Sequence, residues 1–154
     1  MDKKSIHRYM GIALELAAKA KERTYPNPMV GAVVLKGGKV VGQGCHLRAG
    51  GDHAEIRAIK NARNKCKGAT MFVTLEPCDH HGKTPPCTDA IINSGIKTVY
   101  VGMKDPNPLN SGRGVAKLRC AGIKVVTGIR TGEAEELGRK YVKFITRKTP
   151  YITV

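Results

Sequence analysis

Two short segments hold the residues best suited to chemistry: His53-Ala54-Glu55, and a stretch opening Glu76-Pro77-Cys78 and closing Pro85-Pro86-Cys87. One imidazole and two thiolates make a three-ligand zinc site with its fourth position open, the catalytic rather than the closed structural pattern. Water in that position has its pKa lowered toward ~7. A carboxylate close by that does not ligate, here Glu55, can take the water's proton and pass it on. Residues i and i+2 do not share a helix face. His53 and Glu55 can therefore approach one metal only if it lies over a helix N-terminus, with His53 still cap-like. Free amides and the positive helix end there also favour thiolate over thiol.

The zinc base deaminases carry His-x-Glu followed by Pro-Cys-x-x-Cys. This chain has the His-x-Glu and the Pro-Cys, but its second cysteine is Cys87, and His81 stands where the short form would place it. The competing arrangement is a closed structural site with His80 or His81 as fourth ligand; Glu55 argues against it, because a structural site needs no carboxylate beside the metal. Cys45, Cys66 and Cys120 read as buried or surface thiols.

The elements that must position these residues follow from the apolar pattern. Residues from about Ser5 to Glu22 read as a helix, with Met10, Ala13, Leu14, Ala17 and Ala20 at helical spacing. Tyr25-Pro26-Asn27-Pro28 ends it. Val30 to Lys36 and Lys39 to Cys45 are short β-branched runs flanking Gly37-Gly38, a hairpin signal. His53 to Asn64 reads as a helix, Thr70 to Leu75 as a strand, and Thr88 to Asn93 as a short helix ended by Gly95. Then come a strand over Lys97 to Met103, a turn-rich loop over Asp105 to Gly114, a helix to Ala121, a strand over Ile123 to Thr127, a helix over Glu133 to Phe144 and a short strand over Tyr151 to Val154. This order implies an α/β sandwich, antiparallel at the hairpin and parallel where helices cross over.

A chain of 154 residues is one domain by length, large enough for a core without disulfides. Five cysteines, an odd number with no export signal, argue for reduced thiols. No run approaches the ~18 apolar residues of a membrane helix, and no secretory leader is visible, so a cytoplasmic protein is expected. The net charge of +15 and pI near 9.9 point to an anionic partner, a phosphorylated small molecule or a nucleic acid, unless they reflect only a lysine-rich solvated surface. The basic clusters at Arg63 to Lys67, Arg139-Lys140 and Arg147-Lys148 lie far apart, and aromatics are only 5%, so the stacking platforms of a single-strand binder are poorly supplied.

Pro26-Asn27-Pro28-Met29-Val30-Gly31, Gly44-Cys45-His46, His53-Ala54-Glu55, Thr74-Leu75-Glu76-Pro77-Cys78, Gly82-Lys83-Thr84-Pro85-Pro86-Cys87 and Asp105-Pro106-Asn107-Pro108 together resemble the deaminase domain of the riboflavin-biosynthesis deaminase/reductase family over nearly the whole chain. The long insertion between the cysteines is the most specific feature. The resemblance implies a three-layer α/β/α cytidine deaminase-like sandwich with a central mixed sheet of about five strands. It implies Zn2+ and the hydrolysis of 2,5-diamino-6-(5-phosphoribosylamino)pyrimidin-4-one to the corresponding uracil with loss of ammonia. It implies Asn27, His46, Lys83, Asp105 and Asn107 as substrate contacts and a homo-oligomer. In chemical terms, Asn27 between prolines offers a rigid amide for a ring edge, His46 and Lys83 can meet phosphate, hydroxyl or carbonyl groups, and Asp105 and Asn107 follow a strand end.

Residues 1–146 are expected to form the deaminase domain, and 147–154, ending Pro150-Tyr151-Ile152-Thr153-Val154, resemble the first strand of a reductase domain. No glycine-rich nucleotide fingerprint is present, so no reductase activity and no NADPH site are expected; either the deaminase is encoded alone or the chain is truncated, and a separate reductase chain is a candidate partner. Two other readings compete: an RNA-editing deaminase, favoured by the charge, and an inactive zinc-folded partner module, disfavoured by Glu55.

Overall fold

The computed structural model describes residues 1–20, 23–82 and 84–147. Helix α1 (Lys3–Ala18) begins at Asp2, whose side chain accepts the Ser5 N–H at 2.7 Å, satisfying one of the free amides of the first turn. The hairpin β1 (Gly31–Lys36) and β2 (Lys39–Cys45) follows, then α2 (Ala54–Ala62) and β3 (Thr70–Leu75). The rest alternates: α3 (Cys87–Ser94), β4 (Thr98–Met103), α4 (Arg113–Cys120), β5 (Lys124–Val126), α5 (Thr131–Leu137) and α6 (Arg139–Arg147).

One mixed sheet has the order β2-β1-β3-β4-β5. Strand β1 is antiparallel to both β2 and β3, with Val33 opposite Phe72, and β3, β4 and β5 are parallel, with Val73 opposite Val101. Strands β2 and β3 therefore run the same way with β1 between them, and α2 is the crossover that joins them. Helices α1 and α5 cover one face of the sheet, and α2, α3 and α4 the other. This is the three-layer α/β/α sandwich, with its mixed sheet of five strands, that the resemblance implied.

Between the layers lie Met10, Val33, Val34, Phe72, Val73, Ile91, Val101 and Leu118, all fully buried. Phe72 stacks on Tyr100 with ring centroids 4.8 Å apart. Helix α1 lies so close to β1 that a Cβ on Gly31 would collide with the Ala13 carbonyl. The alanines at helical spacing in α1 allow that approach.

Because β1 runs against its neighbours, its N-terminal end shares one sheet edge with the C-terminal ends of β2, β3 and β4. Asn27 precedes β1, His46 follows β2, Cys78 follows β3 and Asp105 follows β4, so residues far apart in sequence meet along that edge.

Several boundaries differ from the sequence reading. Helix α1 closes at Ala18 through a turn at Lys19 and Ala20. Helix α2 ends at Ala62, where Arg63 takes φ 55° and opens a single 3-10 turn over Arg63–Lys65. The final helix is two helices separated at Gly138, whose ψ of 6° leaves the helical region and whose residue type resists helix propagation. The strand expected over Tyr151 to Val154, and with it the tail beyond Arg147, lies outside the described residues.

Candidate active site

His53 is the N-cap residue of α2, with φ −67° and ψ 160°. Its backbone is still extended, so its ring swings off the helix end, the geometry that an i, i+2 pair around one ion requires. Glu55, in the first turn of the same helix, is 4% exposed. Cys87 is the first residue of α3, with Pro86 as N-cap. The N-cap residue of neither helix makes a side-chain cap bond; at α3 the Cys87 amide is given to Cys78 Sγ and the Thr88 amide to the Cys78 carbonyl.

The donor atoms of His53, Cys78 and Cys87 lie within 4.8 Å of one another, the only group of this kind among the described residues. His53 Nδ1 is 3.2 Å from Cys87 Sγ and 3.7 Å from Cys78 Sγ. Tetrahedral zinc with Zn–N of about 2.0–2.1 Å and Zn–S of about 2.3 Å needs ligand atoms roughly 3.5–3.8 Å apart, so the cluster fits such an ion after small adjustments. Neither His80 nor His81 joins it, and the closed four-ligand arrangement has no support. Cys45 and Cys66 are buried elsewhere in the core and Cys120 is exposed.

The electrostatics favour a thiolate. The Cys87 N–H points at Cys78 Sγ across 3.3 Å. The Cys78 thiol is brought down to about 4 by a hydrogen bond from the Cys87 thiol, joined against burial by those from His53 and the Cys87 amide. The Cys87 thiol moves up, through that same shared bond and its own burial. His53 is raised by its hydrogen bond to Cys78. Burial, then the Cys78 charge, pushes the Glu55 carboxyl up to about 7, where a carboxyl group both accepts and returns a proton near neutrality.

His53, Glu55 and Cys78 line a cavity of about 540 Å³. Pro26, Asn27 and Pro28, His80, Gly82 and Thr84, and Asp105 and Asn107 line it as well. Lys83 lies outside the described residues. His46, 2% exposed, faces His53 edge-on with ring centroids 5.2 Å apart. Its Nδ1 is 3.2 Å from the Asp52 carbonyl oxygen, which can only accept, so Nδ1 carries the proton. Burial lowers the His46 pKa, so Nε2 is an acceptor, and it is buried with no partner among the described residues. Asp105 is raised by burial. Its Oδ1 accepts the Asn107 N–H at 2.9 Å and the Tyr141 hydroxyl at 2.8 Å, and its Oδ2 accepts from Asn110 Nδ2 at 3.3 Å. The Asp105 carboxylate thus shapes the wall through bonds to its own chain.

Sequence reasoning missed several wall residues, among them Ala49, Gly50 and Gly51 of the loop after β2. Tyr141, Phe144 and Ile145 of α6 face the cavity; their i, i+3, i+4 spacing is the signal that could have found them. Glu76 also lines it, and its signal is an acid placed directly after the apolar run Thr70–Leu75.

Residues 3–103 match the model of the cytidine and deoxycytidylate deaminase zinc-binding region, so the chain belongs to that family of deaminases. Within the family it is similar to riboflavin-biosynthesis proteins. It is 59% identical over 146 residues to the riboflavin biosynthesis protein RibD of Aquifex aeolicus, covering 95% of this chain and 41% of that protein. It is 47% identical over 135 residues to the diaminohydroxyphosphoribosylamino-pyrimidine deaminase of Buchnera aphidicola, covering 88% of this chain and 92% of that protein. A crystal structure of a Thermotoga maritima diaminohydroxyphosphoribosylaminopyrimidine deaminase/5-amino-6-(5-phosphoribosylamino)uracil reductase superposes with a TM-score of 0.92 at 51% identity, over 97% of this chain and 43% of that one. The chain spans about two fifths of the length of the RibD relatives. Among the described residues, no helix is long and apolar enough to cross a membrane.

Proposed function

We propose that the chain is a zinc-dependent hydrolytic deaminase converting 2,5-diamino-6-(5-phosphoribosylamino)pyrimidin-4(3H)-one to 5-amino-6-(5-phosphoribosylamino)uracil and ammonia. The observation that carries this is a buried carboxyl, Glu55, beside a trio of one imidazole and two thiols where the N-termini of α2 and α3 meet. Similarity to relatives named for this reaction supplies the substrate.

His53, Cys78 and Cys87 would hold the zinc ion, which supplies a water acidified toward ~7. Glu55 takes the proton of the attacking water and delivers it to a ring nitrogen. The same carboxyl then helps protonate the departing 2-amino group, two transfers suited to a group titrating near neutrality. Asn27 offers its amide to the ring edge. His46 Nε2 accepts a hydrogen bond from a ring or ribose donor, which also relieves its unpartnered state. Asp105 holds the loop that presents Asn107, and Lys83 is assigned to the phosphate or a ring carbonyl. The phosphate of the substrate gives part of the +15 charge a purpose. The uracil product requires a reductase next, which we assign to a partner domain or chain. Homo-oligomerisation and a cytoplasmic location belong to the same reading.

The test is ammonia release by zinc-loaded protein from the pyrimidinone, with transfer RNA in a parallel tube. Zinc-dependent release from the pyrimidinone supports the assignment. Release only from RNA would overturn it in favour of an editing enzyme.

A further inference from the structure

The buried carboxylate of Glu76 has no part in the proton transfers above. It is 2% exposed, and both of its oxygens are taken by backbone. Oε1 accepts the Asp105 N–H at 3.1 Å and the Gly112 N–H at 3.0 Å; Oε2 accepts the Val115 N–H at 3.1 Å. Val115 is the third residue of α4, whose N-cap, Gly112, has no side chain to offer. Glu76 supplies the missing cap from the segment that follows β3, and the positive end of α4 favours its charge. Gly114 completes the fit, since a Cβ there would collide with the Pro77 carbonyl.

We infer that Glu76 is a positioning residue for substrate: one carboxylate fixes, relative to the strand end that leads to Cys78, both the amide of Asp105 and the start of α4. The segment between them carries Asn107, and its alignment with the cavity depends on this three-way bond. Three backbone amides on one carboxylate make Glu76 a holder of backbone. The inference rests on reading the cavity as the deaminase site, and its test separates the two.

Glu76→Gln keeps one oxygen but turns an N–H donor toward backbone donors; Glu76→Ala removes both acceptors. Four quantities are measured for each variant: zinc per chain, KM and kcat for the pyrimidinone, and amide hydrogen exchange across residues 105–115. With Gln, zinc content is retained, amides in that segment exchange faster, and KM rises at least about tenfold while kcat changes much less. Ala gives the larger effect on both. If the segment exchanges at the wild-type rate, the inference is overturned even if no substrate is turned over. An unchanged KM with full zinc also overturns it, as does a loss of activity that only tracks lost zinc. Failure of the wild type to deaminate the pyrimidinone would count against the functional reading alone, since the exchange measurement needs no turnover.

Discussion

The N-termini of α2 and α3 meet at the trio of His53, Cys78 and Cys87, whereas that of α4 is closed by a carboxylate away from it. In none of the three does the N-cap residue's own side chain bond the helix. At α3 the first amide is given to Cys78 Sγ, a member of the trio; at α4 Glu76 reaches across to take the Val115 amide. All three lie at the same sheet edge and follow the C-terminal ends of β2, β3 and β4. The lesson is that a helix end in this fold is defined by the distant side chain that reaches it: a thiol in the trio at α3, a backbone-held carboxylate at α4.

The contrast can be broken most severely at the trio. Cys87→Ala should leave the purified protein almost free of zinc, with turnover down at least about a thousandfold, beyond the 10–100-fold typical of changes behind the ligands. Metal analysis beside the activity assay decides it, and a variant that kept its zinc would sink the assignment of Cys87. Next, Glu55→Gln removes the proton carrier in the first turn of α2 while keeping its shape: zinc stays, and kcat falls about 10²–10⁴-fold. Substantial residual turnover would mean another group moves the proton. At the closed end, Gly114→Ala forces a methyl group against the Pro77 carbonyl and should cost about 1–3 kcal/mol. The melting temperature should fall by about 2–4 °C for each kcal/mol, and an unchanged melting curve would show that α4 is not pressed against this strand end. The smallest effect is expected from Tyr141→Phe, which removes the 2.8 Å bond to Asp105. It should weaken that wall by about 1 kcal/mol and raise KM a few-fold with kcat nearly intact. An unaltered KM would show that α6 merely covers the cavity.

Much of the site was legible because its logic is local. His-x-Glu implied a cap-like histidine, and His53 has that backbone. Asn27, His46, Asp105 and Asn107 sit beside prolines or strand ends, and the sheet gathers all four into one cavity. The hairpin and the crossover strands were readable from β-branched runs and glycines, so the mixed sheet followed. Glu76 and Asn110 were not legible because their partners are distant: Glu76 bonds residues 29, 36 and 39 positions away, and Asn110 accepts the Asp79 N–H and donates to the Pro77 carbonyl, 31 and 33 positions away. No periodicity encodes such bonds. The break between α5 and α6 was missed for a different reason. The apolar pattern runs through Gly138 without a change of phase, and only its residue type marked the end of a helix.

The spacing of the trio has one further consequence. His53 stands 25 residues from Cys78 and 34 from Cys87, at the start of α2, on the loop after β3 and at the start of α3. An ion bound by all three would join chain segments that are independent when unfolded. Because the donors converge only on folding, such an ion would favour the folded state reversibly, at a strength set by free metal through mass action. The lifetime of the folded chain in a cell would then follow the zinc supply.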